Sequence, residues 1–354
     1  MNDLPTFKAA AVQAAPCFLD GPATIAKACR LVAEAAANGA RLVVFPEVFV
    51  PGYPYWNWCM SPLEGSARFR RLCLSAIEIT GGEIEALCAA ARSARAYVVI
   101  GINERSAHSL GTLYNTNVLI SPQGVLTGRH RKLVPTFAEK LTWAGGDGST
   151  LRVYETELGR LGMLACGENT NSLARFTLLA QGELVHIANY IAFPFVEKYD
   201  MAAAIQIRAA AHSLEGKVFT IASCSAMSQE IIEAVAVDER MRKMLSGKPN
   251  AFSGIFGPDG RLLTPPLIDE EGIVYAEIEL NRCIEPRQFH DIVGGYNRFD
   301  IFSLSVDRTA RSPAYFDEGR TPGPQAGPAT RRIGELGGAA AEDMVCGAGQ
   351  LPMD

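Results

Sequence analysis

The chain has 354 residues, 48% hydrophobic and 20% charged, the proportions of a globular protein with room for one large α/β domain. A formal net charge of -5 argues against nucleic acid as a partner, because phosphate binding needs clustered Lys and Arg. No apolar run approaches the ~20 residues of a membrane helix, and Met1-Asn2-Asp3-Leu4-Pro5 lacks a signal peptide's basic-then-apolar pattern, so a cytoplasmic protein without membrane contact is expected. Residues 7–13 read as a short buried strand, and 23–37 carry helical apolar spacing that stops at Gly39. Residues 41–47 (RLVVFPE) read as a strand broken by Pro46, with Glu47 at its end. A helix over 82–96, a strand over 97–103 and a hairpin of 117–121 with 125–129 follow. The second half repeats the style with strands at 161–166, 184–188 and 218–223 and helices at 173–181 and 201–214. Strands at 251–256, 261–263 and 274–280 complete it. Such alternation predicts layered sheets faced by helices in one domain over 1–319. The Gly-, Ala- and Pro-rich stretch 320–354 reads as a disordered tail or an oligomer-contact arm.

Nine cysteines are scattered without CxxC spacing, and five histidines show no ligand spacing, so neither a metal nor an organic cofactor is expected. Most of these cysteines read as small core residues of a reducing compartment. Cys166 has a different setting. It stands where the apolar strand LGMLA meets the polar turn Gly167-Glu168-Asn169-Thr170-Asn171 and a following helix. A nucleophile on such a turn is exposed above the sheet edge and faces backbone N–H groups that favour a thiolate and an oxyanion. Glu47 follows Val-Val-Phe-Pro and precedes Val-Phe-Val-Pro-Gly-Tyr, apolar company that raises a carboxylate's pKa and suits a general base; the plain alternative is a salt-bridged strand end. Lys132, in His130-Arg131-Lys132-Leu133, is either a solvated basic loop or an ammonium that stabilises negative charge at a reacting centre. Glu139, in Phe137-Ala138-Glu139-Lys140, either orients Lys132 and shares its acid–base work or is a surface carboxylate.

Taken together, Glu47, Lys132 and Cys166 each end a strand, and such ends converge on one crevice in layered α/β folds. The segments FPEVFVPGYPYW, HRKLVPTFAEKLTWAGGDGS and CGENTNSLAR resemble the nitrilase superfamily, in that family's order, and the resemblance runs over about residues 5 to 310. PGYPYW, WAGGDGS and the chain length resemble its nitrilase branch. Three positions depart from the family: Ser172 stands for a common Pro, and in GGYNRFD Gly295 stands for His and Phe299 for Pro.

The resemblance implies a four-layer αββα sandwich, with protomers pairing across a helical face into an αββα-αββα homodimer that assembles into a larger homo-oligomer. Residues 62–71 and 238–248 are candidate contact regions, or else ordinary charged helices and loops. It also implies catalysis by Glu47, Lys132 and Cys166, with Glu139 assisting, on a small nitrile through thioimidate and thioester intermediates. Tyr53, Gly167, Glu168 and Asn169 are the candidate substrate-binding residues. Tyr55, Trp56, Trp58, Phe193 and Phe195 are expected mostly in the core. A cyanide hydratase or dihydratase and an amidase would share the same triad. A non-enzymatic scaffold would have lost one of its members, and all three are present.

Overall fold

The computed structural model describes residues 4–195, 199–247 and 249–315. The segment 320–354, read above as a tail or arm, lies outside the described residues. The first half runs β1 (Thr6–Gln13), α1 (Gly21–Ala37), β2 (Ala40–Val44), α2 (Ser66–Ser75), α3 (Gly82–Ala94), β3 (Tyr97–Arg105), β4 (Leu113–Ile120), β5 (Leu126–Arg131) and the short β6 (Trp143–Ala144). After it come β7 (Tyr154–Thr156), β8 (Gly159–Ala165), α4 (Ser172–Ala180), β9 (Val185–Tyr190), α5 (Met201–Gly216) and β10 (Phe219–Cys224). The chain continues through α6 (Gln229–Val235), α7 (Glu239–Leu245), β11 (Phe252–Phe256), β12 (Leu267–Ile268), β13 (Gly272–Glu279) and α8 (Arg287–His290).

The strands form two mixed sheets. One has the order β13-β1-β2-β3-β4-β5, with β6 beside β4, and the other the order β12-β11-β10-β9-β8-β7. Side chains alternate between the two faces of a strand, and the first sheet keeps to this. Ala9, Ala11, Leu42, Val44, Val99 and Leu119 meet Leu161, Met163, Val185, Ile187 and Ile221 of the second sheet. The intervening Ala10, Val12, Val43, Val98, Ile100 and Val118 face the opposite way, onto Ile25, Ala28, Val32 and Ala35 of α1 and Leu87 and Ala91 of α3. The second sheet turns Ala188 and Tyr190 toward Ala202, Ile205 and Ala209 of α5, and Leu164 toward Ala174 and Leu178 of α4. The layers are therefore helix, sheet, sheet, helix, as expected from the sequence.

Local chemistry sets the element ends. Asp20 caps α1 by accepting from the Ala23 N–H at 2.9 Å, and Gly39 (φ +86°) releases the chain into β2. β2 stops at Val44 rather than running to Glu47, because Pro46 has no N–H to continue the ladder. The strand expected at 261–263 is only an isolated bridge between Phe256 and Leu262. Pro265 and Pro266 lack donors, and pairing resumes beyond them at β12. No helix among the described residues is long and apolar enough to cross a membrane.

Candidate active site

Lys132 and Cys166 follow directly on β5 and β8, Glu47 lies three residues beyond the end of β2, and the packed sheets bring the three strand ends together. Past β2 the chain turns sharply, and Glu47 hangs over β3. Here Gly101 is required: a Cβ at that position would lie 2.3 Å from the Val48 nitrogen and 2.5 Å from the Pro46 oxygen. The Gly101 N–H donates to the Pro46 carbonyl at 3.1 Å and fixes the turn. Asn189 of β9 donates to the Phe45 carbonyl and accepts from Asn117 of β4, so the two sheets are stitched by amides beneath the turn.

The Glu47 carboxylate is buried. Its Oε1 accepts from Lys132 Nζ at 2.9 Å and from Asn115 Nδ2 at 2.7 Å. Its Oε2 has no hydrogen-bond partner among the described residues. Lys132, buried as well, donates a second bond to Glu139 Oε2 at 2.7 Å. Glu139 is held from both sides, by the Thr136 N–H at 2.7 Å on Oε2 and by the Tyr53 hydroxyl at 3.0 Å on Oε1. Trp58 Nε1 in turn donates to that hydroxyl at 2.9 Å. Burial raises the Glu47 pKa against the opposing pull of Lys132, and the nearby Glu139 adds to the rise. Burial alone would strip Lys132 of its proton, but the two carboxylates outweigh it and keep the ammonium charged well past the usual lysine range.

Cys166 opens the turn after β8 with φ +46°, a left-handed conformation that costs a non-glycine residue about 1–3 kcal/mol and recurs at functional sites. Asn169 helps to hold it, donating to the carbonyls of Cys166 at 3.1 Å and Leu164 at 3.3 Å. Burial pushes the thiol well above its usual pKa, the Glu47 charge adds to this, and Lys132 opposes it. The resting group is therefore a protonated thiol, and its proton must pass to a base before the sulfur attacks.

Cys166 and Glu139 reach a cavity of about 340 Å³, which Gly167, Tyr53 and Thr136 also line and Trp58, Phe137, Ile191, Phe193, Tyr199, Met201 and Arg208 wall, while Glu47 and Lys132 lie buried behind Glu139. Of the candidate substrate-binding residues, Tyr53 and Gly167 line the cavity. Glu168 and Asn169 are not brought to it: their side chains brace the frame. Glu168 accepts from the Leu133 N–H at 2.8 Å, the Ala165 N–H at 3.0 Å and His130 Nε2 at 2.9 Å, tying the strand end that carries Lys132 to the turn that carries Cys166. Burial would raise the Glu168 pKa, but His130 prevails and holds it below the usual carboxylate range. Asn169 accepts at Oδ1 from His186 Nε2 at 2.7 Å. Of the aromatic residues expected in the core, Tyr55 and Trp56 are there, while Trp58 and Phe193 face the cavity.

Asn115 and Arg208 were not singled out from the sequence. Asn115 lies within a strand, in a segment without a recognisable motif, and Arg208 is one of several basic residues on helices. Only its place on α5, packed against the Cys166 turn, brings it to the cavity.

A sequence profile described as carbon–nitrogen hydrolase matches residues 8–288. The chain belongs to the carbon–nitrogen hydrolase family. As a member it is a hydrolase of carbon–nitrogen bonds other than peptide bonds. It is 38% identical over 313 residues to an aliphatic nitrilase of Rhodococcus rhodochrous, spanning 87% of this chain and 84% of that protein. It is also 38% identical over 318 residues to a bromoxynil-specific nitrilase of Klebsiella pneumoniae subsp. ozaenae, spanning 87% of each. The fold matches that of a carbon–nitrogen hydrolase from Helicobacter pylori G27 with a TM-score of 0.65 at 22% identity, over 80% of this chain and 92% of the other.

Proposed function

We propose that this hydrolase is a nitrilase that converts an organic nitrile and two waters into the carboxylic acid and ammonia. The observation that carries the reading is the Glu47–Lys132–Glu139 cluster, locked by short hydrogen bonds, whose Glu139 lines the same cavity as Cys166 on its strained turn. Glu47 takes the thiol proton through its unpartnered Oε2, and the sulfur bonds to the nitrile carbon. The Lys132 ammonium and the Gly167 N–H stabilise the negative nitrogen that forms, giving a thioimidate. Glu47 first gives the thiol proton to that nitrogen, which frees the carboxylate to draw a proton from a water that adds to the same carbon and to pass it to the nitrogen, with Glu139 orienting Lys132. Ammonia leaves a thioester, and a second water, activated in the same way, releases the acid and returns the proton to the sulfur. Tyr53 lines the substrate end through its ring and steadies Glu139 through its hydroxyl. No step in this scheme calls for a metal or an organic cofactor.

Two relatives of equal identity carry different substrate labels, aliphatic and bromoxynil-specific, so identity alone does not choose the nitrile. A homodimer fits the exposed Leu173 of α4 and Ile207 and Leu214 of α5, and light scattering would give its mass. The cytoplasmic placement rests on eight unpaired cysteines among the described residues. To test the activity, ammonia and acid would be measured from aryl, arylaliphatic and aliphatic nitriles, cyanide and the matching amides, beside Cys166→Ala. Ammonia and acid from a nitrile, abolished in the variant, support the nitrilase. Turnover of cyanide alone or of amides alone moves the same triad to a cyanide-hydrolysing enzyme or an amidase.

A further inference from the structure

The cavity wall is apolar or aromatic along Trp58, Phe137, Ile191, Phe193 and Met201, and Glu139 and Arg208 bring the charged side chains to it. Arg208 of α5, half-buried, brings a guanidinium into that wall. Its Nε donates to Thr170 Oγ1 at 2.8 Å, its Nη2 to the Tyr199 hydroxyl at 2.9 Å and its Nη1 to the Ala204 carbonyl at 3.2 Å. All three acceptors are neutral, and among the described residues no carboxylate pairs with Arg208. A guanidinium has five N–H donors, so two remain. Arg208 is therefore a cation aimed by three bonds, with its charge uncompensated and with donors to spare, beside the space a substrate would fill. Thr170 belongs to the same short turn as Cys166, which fixes Arg208 relative to the nucleophile.

We propose that Arg208 is the recognition site for a carboxylate on the substrate, and that the preferred substrates are nitriles bearing an anionic carboxylate on a short aliphatic or aryl spacer. This inference rests on the nitrilase reading and narrows it to a substrate class. The charges around the nucleophile give the orientation. Glu47 and Glu139 face one ammonium, Lys132, so the reacting end carries an excess of negative charge and repels a substrate carboxylate. Arg208 attracts it. A carboxylated nitrile thus has one favourable direction of entry, nitrile carbon toward Cys166 and carboxylate toward α5. Hydrolysis of the carbon–nitrogen triple bond by two waters yields ammonia and a dicarboxylate, whose new carboxylate forms beside Glu47 and Glu139 and is expelled.

The test uses pairs of nitriles of matched size, 4-cyanobutanoate against hexanenitrile and 4-cyanobenzoate against 4-methylbenzonitrile, with wild type, Arg208→Gln and Arg208→Lys. The wild type is expected to favour the carboxylated member of at least one pair, mainly through KM. The carboxylated-to-neutral ratio of kcat/KM should fall roughly ten- to a hundredfold in Arg208→Gln, the usual worth of a hydrogen bond to a charged group, and recover in part in Arg208→Lys. In a second arm, calorimetry follows glutarate and 4-cyanobutanoate binding to Cys166→Ala and to the Cys166→Ala, Arg208→Gln double variant. Binding to the first and its loss in the second is expected. Preference for the neutral member in both pairs, or an unchanged ratio in Arg208→Gln, overturns the carboxylate site even where nitriles are hydrolysed. Carboxylate binding that depends on Arg208, with no turnover of any nitrile, keeps the site and overturns the nitrilase reading instead.

Discussion

The chain buries two trios of ionisable side chains, and they are built from similar parts. Glu47, Lys132 and Glu139 set two acids around one base. Glu183, His186 and His212 set two bases around one acid, with His186 Nδ1 at 2.8 Å and His212 Nε2 at 3.0 Å on the two oxygens of one carboxylate. The first trio reaches the cavity through Glu139 and leaves Glu47 Oε2 without a hydrogen-bond partner among the described residues. In the second, both carboxylate oxygens are bonded, and Glu183 packs so tightly on β8 that a Cβ at Gly162 would lie 1.9 Å from its Oε1. The pKa directions follow: burial lifts Glu47 despite Lys132, whereas in Glu183 the two histidines outweigh burial and bring it down to about 2. A raised, unfinished carboxylate can take a proton in a reaction; a lowered, finished one can only hold a shape. The second trio is linked to the nucleophile's turn by His186, which bonds Asn169, which in turn donates to the Cys166 carbonyl. Its three groups also lie close enough together to hold a metal ion, but each carboxylate oxygen already accepts from a histidine, which explains their geometry without one.

The sharpest way to break this comparison is Lys132→Met. It leaves two buried carboxylates facing each other with no cation, and one of them must take a proton. If Lys132 stabilises the nitrogen anion, kcat/KM should fall by about a thousandfold or more, about 4 kcal/mol of barrier. Retained activity within about tenfold of wild type would assign Lys132 to the frame. In the second trio the matching change is Glu183→Gln, which removes the negative charge and replaces one of the two oxygens that the histidines bond with an N–H₂ donor. Breaking a buried pair this way costs about 3 kcal/mol of stability, read as a lower urea midpoint, while kcat of the folded fraction should fall less than about tenfold. A loss of kcat as large as that of Lys132→Met, in a protein still folded, would mean the two trios are one machine.

How much of this was legible in the sequence divides along the same line. Glu47, Lys132 and Cys166 stand out in the sequence only together, because each lies near a strand end and the three runs around them resemble one family in its order. The layered fold followed from strand and helix periodicity, and the alternation in β1 and β2 bears it out. The second trio was not legible, because His212 approaches Glu183 from 29 residues away and nothing local marks either. Asn115 and Arg208 escaped for the same reason, since each matters only through a neighbour supplied by another element. Glu168, which the family resemblance puts at the substrate, has its carboxylate bonded to two backbone N–H groups and a histidine, partners that no local pattern marks. The helix α2 was missed because its ten residues bury only Leu72, which leaves no apolar stripe to read.

The smallest effect expected concerns pH, where the two trios carry opposite signs. Burial, with His186 adding to it, lowers His212 to about 4, against the pull of Glu183. An unfolded histidine takes up its proton near pH ~6.5, so between that value and about 4 the unfolded chain binds more protons and stability falls as the pH is lowered. Glu183, lowered to about 2, extends the same loss from the ordinary carboxylate range downward. Glu47 runs the other way: its folded pKa is raised, so the folded state takes the proton first and acid relieves the cost of its buried charge. His212→Gln should therefore flatten the decline in urea midpoint between neutral pH and about pH 4, by on the order of 2 kcal/mol across that window. The acid limb of kcat/KM should not follow it. That limb belongs to Glu47 in the proposed mechanism and should lie above the ordinary carboxylate range in wild type and variant alike. A limb that shifts with His212, while the stability profile stays put, would reverse the assignment and make the closed trio the one whose protons the reaction feels.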